Sequence, residues 1–122
     1  MELLRAAEVP SFSNSGVTFR QLLYPENSTS ERMTITRVTV EPGARNPPHR
    51  HPTSEQVWVG SGRLLPYDDR TEPFSAGDVV RFEDGELHGF ENTGEGEFEY
   101  ISATFPPLNF RQAYERDWSI AG

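Results

Sequence analysis

The chain contains no cysteine among its 122 residues, which excludes disulfides, thiolate metal sites and a cysteine nucleophile. Positive charge is also scarce, because 11 basic residues stand against 19 acidic ones and the formal net charge is −8. An acidic domain repels phosphate groups, so we expect neither nucleic acid nor a membrane surface as a partner. The sequence has no leader-like N-terminus and no apolar run of about 18 residues, which predicts a cytoplasmic protein.

Short stretches rich in β-branched and aromatic residues recur between clusters of glycine, proline, asparagine and aspartate, a pattern typical of an all-β domain. The sequence predicts strands at residues 17–23, 33–40, 56–59, 63–67, 78–82, 89–91 and 97–105. It predicts turns at residues 42–43, 60–62, 68–69, 76–77, 84–85 and 92–94. A short terminal helix is predicted over residues 109–117.

All three histidines fall in two glycine-bounded blocks. Side chains on a strand alternate between its faces, so His49 and His51 point the same way with Cα atoms about 7 Å apart. Glu55 keeps the same parity, whereas its neighbour Gln56 would point to the opposite face. With His88 on a partner strand, three imidazoles and one carboxylate would form a site for a divalent transition metal: iron, manganese, nickel, copper or zinc.

The two blocks resemble the two sequence motifs of the cupin superfamily, small β-barrels that commonly hold one metal ion. The first motif is matched throughout, by Gly43, His49, His51, Glu55 and Gly62. The second is matched by Gly77, Gly85, His88 and Asn92. It departs at one position, because Glu83 stands where the family has proline.

The resemblance implies a cupin (jelly-roll-like) β-barrel of antiparallel strands formed by residues 1–122 as a single domain. Its motif core is residues 43–92, preceded by an N-terminal arm at 1–15 and followed by a C-terminal extension at 106–122 that carries the short helix. Small cupins often pair through their sheets or N-terminal strands, so we expect a homodimer.

Strand parity also predicts pocket residues. Val57 and Val59 share the face of Glu55, and Phe90 shares that of His88, which predicts an apolar lining beside the ion with Trp58 facing outward. Further candidates are Tyr100 as a lining residue, and Arg45 and Arg63 as ligands for a substrate carboxylate. Ordinary core packing for the aromatic residues and solvation for the arginines are the simpler interpretations. No catalytic acid, base or nucleophile is assigned.

For function, an intact ligand set with open coordination positions favours an enzyme that binds a small-molecule substrate. The resemblance implies an oxygenase-like activity on an enolic, catecholic or β-dicarbonyl compound. The alternatives are a non-redox metal-dependent isomerase, cyclase or lyase, and a non-catalytic module that binds or senses a small molecule.

Overall fold

The computed structural model describes residues 1–51, 53–64 and 72–108. Over these residues the fold is all-β, as the sequence predicts, apart from a single 3-10 turn at Ala6–Glu8. The strands are β1 (Ser11–Asn14), β2 (Val17–Leu23), β3 (Thr34–Val40), β4 (Arg45–His49), β5 (Glu55–Leu64), β6 (Glu72–Phe82), β7 (His88–Glu91) and β8 (Phe98–Phe105). No helix of the described residues is long and apolar enough to cross a membrane.

Every strand pair is antiparallel, and the order is β1-β2-β3-β8-β5-β7-β4, with β6 also paired to β5. The long strand β5 joins two groups of strands. Its first half pairs with β8, while Leu64 near its end pairs with Phe90 of β7. This arrangement places β4 and β7, which carry histidines, in the same sheet as the core strands.

The interior of the fold is set by the alternation along three adjacent strands. On β3 the buried positions are the even-numbered ones, from Thr34 to Val40, because successive side chains point to opposite faces. The same alternation buries Tyr100 on β8 and Trp58 on β5. The rings of Trp58 and Tyr100 stack with centroids 4.4 Å apart, and Phe82 packs edge-on against Trp58 at 4.8 Å. This aromatic cluster is the centre of the hydrophobic core.

The predicted strands β2, β3, β7 and β8 are present, with ends that agree to within one residue. Two strands were not predicted. The first, β1, lies within the predicted N-terminal arm, where Phe12 packs against the core. The second, β4, contains Pro47 and Pro48 and lies at the end of the strand order, a position where the missing N–H groups of proline are tolerated.

Two predicted turns are wrong, because residues 60–62 lie within β5 and residues 76–77 within β6. The glycines there mark an irregularity between the strands, where Gly60 pairs with Asp78 but Gly62 pairs with Phe74. Gly60 has φ +146°, and a Cβ atom on it would lie 2.6 Å from the Glu99 carbonyl oxygen. Glycine is therefore required for β5 to pass this close to β8.

Other predictions fall on residues that the structure does not describe. The predicted strand at 63–67 continues β5 through Leu64, but its remainder lies outside the described residues. The same holds for the turn at 68–69 and for the terminal helix at 109–117.

Candidate metal centre

The three histidines converge at one end of the β4–β7 pair. His49 ends β4, His88 begins β7, and the two residues lie directly opposite each other in the register. His51 follows β4 by two residues, and the three ring centroids are 4.4 to 5.0 Å apart. Their ligand nitrogen atoms all lie within 4.8 Å of one another, which is close enough for a single ion to be shared.

Backbone hydrogen bonds hold the two histidine segments together. The carbonyl oxygen of His51 accepts the N–H groups of Ser54 and Gly85, at 3.2 and 3.1 Å. Arg50 in turn donates to the Gly85 carbonyl at 2.9 Å. Gly85 sits at φ +73° in the turn before β7, a conformation that favours glycine. The predicted turn at 84–85 thus exists and fixes the position of His88 relative to His51.

Hydrogen bonds from two rings determine which nitrogen faces the site. His49 Nδ1 lies 2.8 Å from the Pro47 carbonyl oxygen, and His88 Nδ1 lies 3.0 Å from that of Glu86. A carbonyl oxygen only accepts, so each Nδ1 carries the proton and the lone pair of the neutral ring is on Nε2. This is the tautomer of a metal-binding histidine whose other nitrogen is held by a backbone carbonyl.

Burial keeps two of the imidazoles uncharged. Burial, with a smaller contribution from the neighbouring His49, lowers the pKa of His88 to about 3 and that of His51 to about 4. Both rings are therefore neutral at neutral pH, as metal ligands must be.

The buried His88 Nε2 also has no hydrogen-bond partner within the described parts of the chain. Buried polar atoms rarely remain unsatisfied in native proteins, and an ion at this point would satisfy this one. The donor set fits as well, because imidazole suits zinc, copper, iron and nickel.

Aromatic rings cover the inner side of His88. The ring of Phe82 stacks on the imidazole with centroids 4.5 Å apart, and Trp58 approaches it edge-on at 5.8 Å. Because these rings exclude water from one side of the histidine, the candidate site borders the barrel interior.

Glu55, the predicted fourth ligand, is not part of the histidine group. It begins β5 on the outer face, where its carboxylate forms an ion pair with Arg81 of β6. The prediction extended the strand alternation from His51 to Glu55, but His51 follows the end of β4 and Glu55 begins β5, so the two residues do not belong to one continuous strand. On β5 itself the inward positions are those of Gln56 and Trp58.

The predicted facing of the neighbouring side chains is wrong for the same reason. Val57 and Val59 lie on the outer face with Glu55, and Val59 is 44% exposed, so they do not line the site. Trp58, predicted to face outward, is 2% exposed and belongs to the core.

The remaining candidates occupy different places. Phe90 and Tyr100 are buried and pack around Trp58, in agreement with the simpler interpretation as core residues. Arg63 is half-buried on β5, opposite Pro73 of β6. Arg45 is half-buried on β4, and its Nε atom is buried without a hydrogen-bond partner among the described residues.

Gln56 is an interior residue whose role the parity argument missed. Its Oε1 atom accepts the indole N–H of Trp58 at 3.0 Å, and its Nε2 atom donates to Thr104 Oγ1 at 3.2 Å. The hydrogen-bonded chain extends from the ring beside His88 to strand β8. The first cupin motif allows three or four residues between its second histidine and its glutamate, which corresponds to position 55 or 56, and this variable spacing was the signal that could have identified Gln56.

Comparison with known proteins agrees with this geometry. The Cupin_2 family model, described as a cupin domain, matches residues 36–104 and so includes both histidine blocks. The chain belongs to this family.

Relatives and solved structures extend the likeness. The uncharacterized protein MJ1618 of Methanocaldococcus jannaschii is 25% identical over 102 residues, which cover 82% of each chain. The polyketide cyclase RemF from Streptomyces resistomycificus superposes with a TM-score of 0.72 and 24% identity, over 86% of this chain and 79% of RemF. Ectoine synthase from P. lautus gives a TM-score of 0.76 and 12% identity, over 97% and 87% of the two chains. At these identities the two structures show a shared fold.

Proposed function

We propose that this protein is a mononuclear-metal enzyme acting on a small organic substrate, with His49, His51 and His88 as the ligands of one divalent transition metal ion. The observation that carries the proposal is the buried His88 Nε2, which lacks a partner in the described chain while two further imidazoles converge on it. Iron, manganese, nickel, copper and zinc were all compatible with the sequence, and an all-imidazole set favours zinc, nickel, copper or iron.

The proposed reaction class is non-redox: isomerisation, cyclisation or a lyase reaction. An ion held by three neutral imidazoles without a carboxylate retains a formal charge near +2 and would supply Lewis acidity toward a carbonyl or enol oxygen. Glu55 lies with Arg81 on the outer face, so its carboxylate would not lower the charge of the ion. The polyketide cyclase RemF offers a precedent for cyclase chemistry on a similar fold. Oxygenase-like action on an enolic, catecholic or β-dicarbonyl substrate is the alternative, because imidazole also suits iron.

The protein residues themselves orient the histidine rings and shield one side of the site. The carbonyl groups of Pro47 and Glu86 fix the rings of His49 and His88, so these imidazoles cannot rotate to shuttle protons. Phe82 covers one face of His88 and excludes water. Proton transfer to a substrate must therefore come from a group outside the histidine set.

Turnover with different metals separates the two reaction classes. Metal-free protein is loaded with zinc, nickel or, anaerobically, iron, and offered enolic and β-dicarbonyl substrates while product mass and oxygen consumption are followed. The proposal predicts products isomeric with the substrate, or formed by its cleavage without oxygen. Oxygen uptake with iron and incorporation of oxygen into the product would instead establish the oxygenase. Stoichiometric binding of a substrate without any product would establish the binding or sensing module.

We also propose that the protein is a cytoplasmic homodimer. Val59 and Val79 face each other across β5 and β6 on the outer face and are 44% and 64% exposed, an apolar surface that a second copy would cover. Leu3 in the N-terminal arm is 66% exposed and offers a second contact. Light scattering tests this directly, because a dimer has twice the 13.8 kDa mass of the chain.

A further inference from the structure

One wall of the barrel interior is polar. Its side chains come from three adjacent strands, with Thr34 and Thr36 of β3 opposite Thr104 and Ser102 of β8, and Thr104 opposite Gln56 of β5. All five residues are at most 3% exposed. We refer to these five residues as the hydroxyl wall.

Three oxygen atoms of the hydroxyl wall are unsatisfied. Thr34 Oγ1, Thr36 Oγ1 and Ser102 Oγ are buried and have no hydrogen-bond partner in the described portion of the chain. Each unsatisfied buried hydroxyl costs about 1 to 3 kcal/mol, and such groups are rare in native proteins. Three of them on the inner faces of two paired strands point to a bound molecule that supplies their partners.

Packing alone does not account for these hydroxyls. Farther along the inner face of β3 the residues are Val38 and Val40, which are fully buried in the core. Valine has nearly the shape of threonine but no hydroxyl to satisfy, so it would fill positions 34 and 36 without the desolvation penalty. The change from valine to threonine along one inner face therefore marks the part of the interior that receives a polar group.

The hydroxyl wall is connected to the candidate metal centre. Thr104 Oγ1 accepts from Gln56, which accepts from the indole of Trp58. The indole packs edge-on against His88 with centroids 5.8 Å apart. Two hydrogen bonds and one ring contact thus join the hydroxyl wall to His88.

We infer that the hydroxyl wall is a substrate subsite for a neutral, polyhydroxylated compound of the carbohydrate or cyclic polyol type. Its hydroxyl and amide groups both donate and accept, which matches alcohol groups, and none of its five side chains carries a charge to pair with an anion. The inference rests on the proposed function, since the subsite holds the part of the substrate that is remote from the ion.

Binding of neutral polyols to the metal-loaded protein tests the inference. D-Glucose and myo-inositol are the probes, catechol is the flat aromatic comparison, and affinity is measured by titration in ligand-observed NMR. Thr36→Val and Ser102→Ala each remove one unsatisfied hydroxyl, and Thr39→Val is the matched control on the outer face of the same strand, where its hydroxyl meets Glu99. Each inner variant should weaken polyol binding about 3- to 10-fold, while the control and catechol binding stay unchanged.

Stability and metal content distinguish the possible failures. If the hydroxyls are unsatisfied in the free protein, Thr36→Val should unfold at the same temperature as the wild type or higher, and elemental analysis should show unchanged metal. Absence of polyol binding, or equal binding by wild type and inner variants, overturns the subsite and leaves the metal proposal intact. A marked loss of stability in Thr36→Val also overturns it, because the hydroxyl would then have a structural partner. If the protein takes up no metal but still binds polyols, and the inner variants lose this binding, the subsite is supported and the metal proposal is refuted.

Discussion

Replacing Asn92 tests whether this motif residue is structural. Its side chain is 3% exposed and makes three hydrogen bonds, donating to the carbonyls of Val40 at 3.0 Å and Gly96 at 2.8 Å and accepting the N–H of Gly94 at 3.0 Å. These bonds fasten the β7–β8 connection to the end of β3. Asn92→Ala removes all three.

The expected loss of stability depends on how deeply each hydrogen bond of Asn92 is buried. The Val40 bond is buried, so its carbonyl is left unsatisfied at about 2 kcal/mol, whereas water can replace each of the other two bonds at about 0.5 kcal/mol. Asn92→Ala should therefore lower the free energy of unfolding by about 3 kcal/mol and the melting temperature by roughly 10 °C. Urea unfolding followed by circular dichroism measures this change.

Asn92→Asp is the matched comparison, since it preserves size and the acceptor for Gly94 but directs a carboxylate oxygen at two carbonyls. The oxygen that replaces Nδ2 would face two carbonyl acceptors as part of a buried charge, which is more costly than a missing group, so this variant should be less stable than Asn92→Ala at neutral pH. A loss below about 1 kcal/mol for the alanine variant, or the opposite order of the two variants, would refute the structural role.

Three further predictions concern strands β5 and β6 and the residue that follows β6. Gly60→Ala should lower the free energy of unfolding, measured by thermal unfolding, by several kcal/mol, because its Cβ would lie 2.6 Å from backbone atoms of β8. Gly77→Ala is the comparison, because Gly77 also has a positive φ but a Cβ there meets open space. This variant should lose only about 1 to 2 kcal/mol in the same assay. Glu83→Pro should change the unfolding free energy by less than about 0.5 kcal/mol, since the side chain is 72% exposed, and a larger loss in urea unfolding would reveal a specific role for Glu83. Arg81→Ala should leave the stability nearly unchanged, because its ion pair with Glu55 lies at the solvent-exposed surface, and a marked loss of stability in urea unfolding would contradict that reasoning.

The sequence predicted the fold class and most strands because alternation is strong where one face is buried. Strand β2 was located at its observed ends, since its valine and aromatic positions alternate with polar ones. Strand β4 was missed because two adjacent prolines are disfavoured inside a strand, and only the position of β4 at the end of the strand order makes Pro47 and Pro48 acceptable. The glycines at 60–62 were misread because a close approach between strands requires the same residue as a turn does.

The histidine group could be predicted from motif spacing, but the inner face of β5 could not. Parity holds only within a continuous strand, and His51 lies after the end of β4 whereas Glu55 begins β5. The hydrogen bond from Ser54 to His51 belongs to this connection, and the alternation begins again after it. Glu55 therefore faces Arg81 outside, while Gln56 and Trp58 face the interior.

Elemental analysis of untagged protein tests the three-histidine centre most directly. We expect near-stoichiometric transition metal in the wild type, loss of it in His88→Ala, and full retention in Glu55→Ala, with folding of each variant checked by circular dichroism. Retention of metal by folded His88→Ala would contradict the centre. Loss of metal in folded Glu55→Ala would contradict the placement of that carboxylate outside the ligand set and restore the four-ligand prediction.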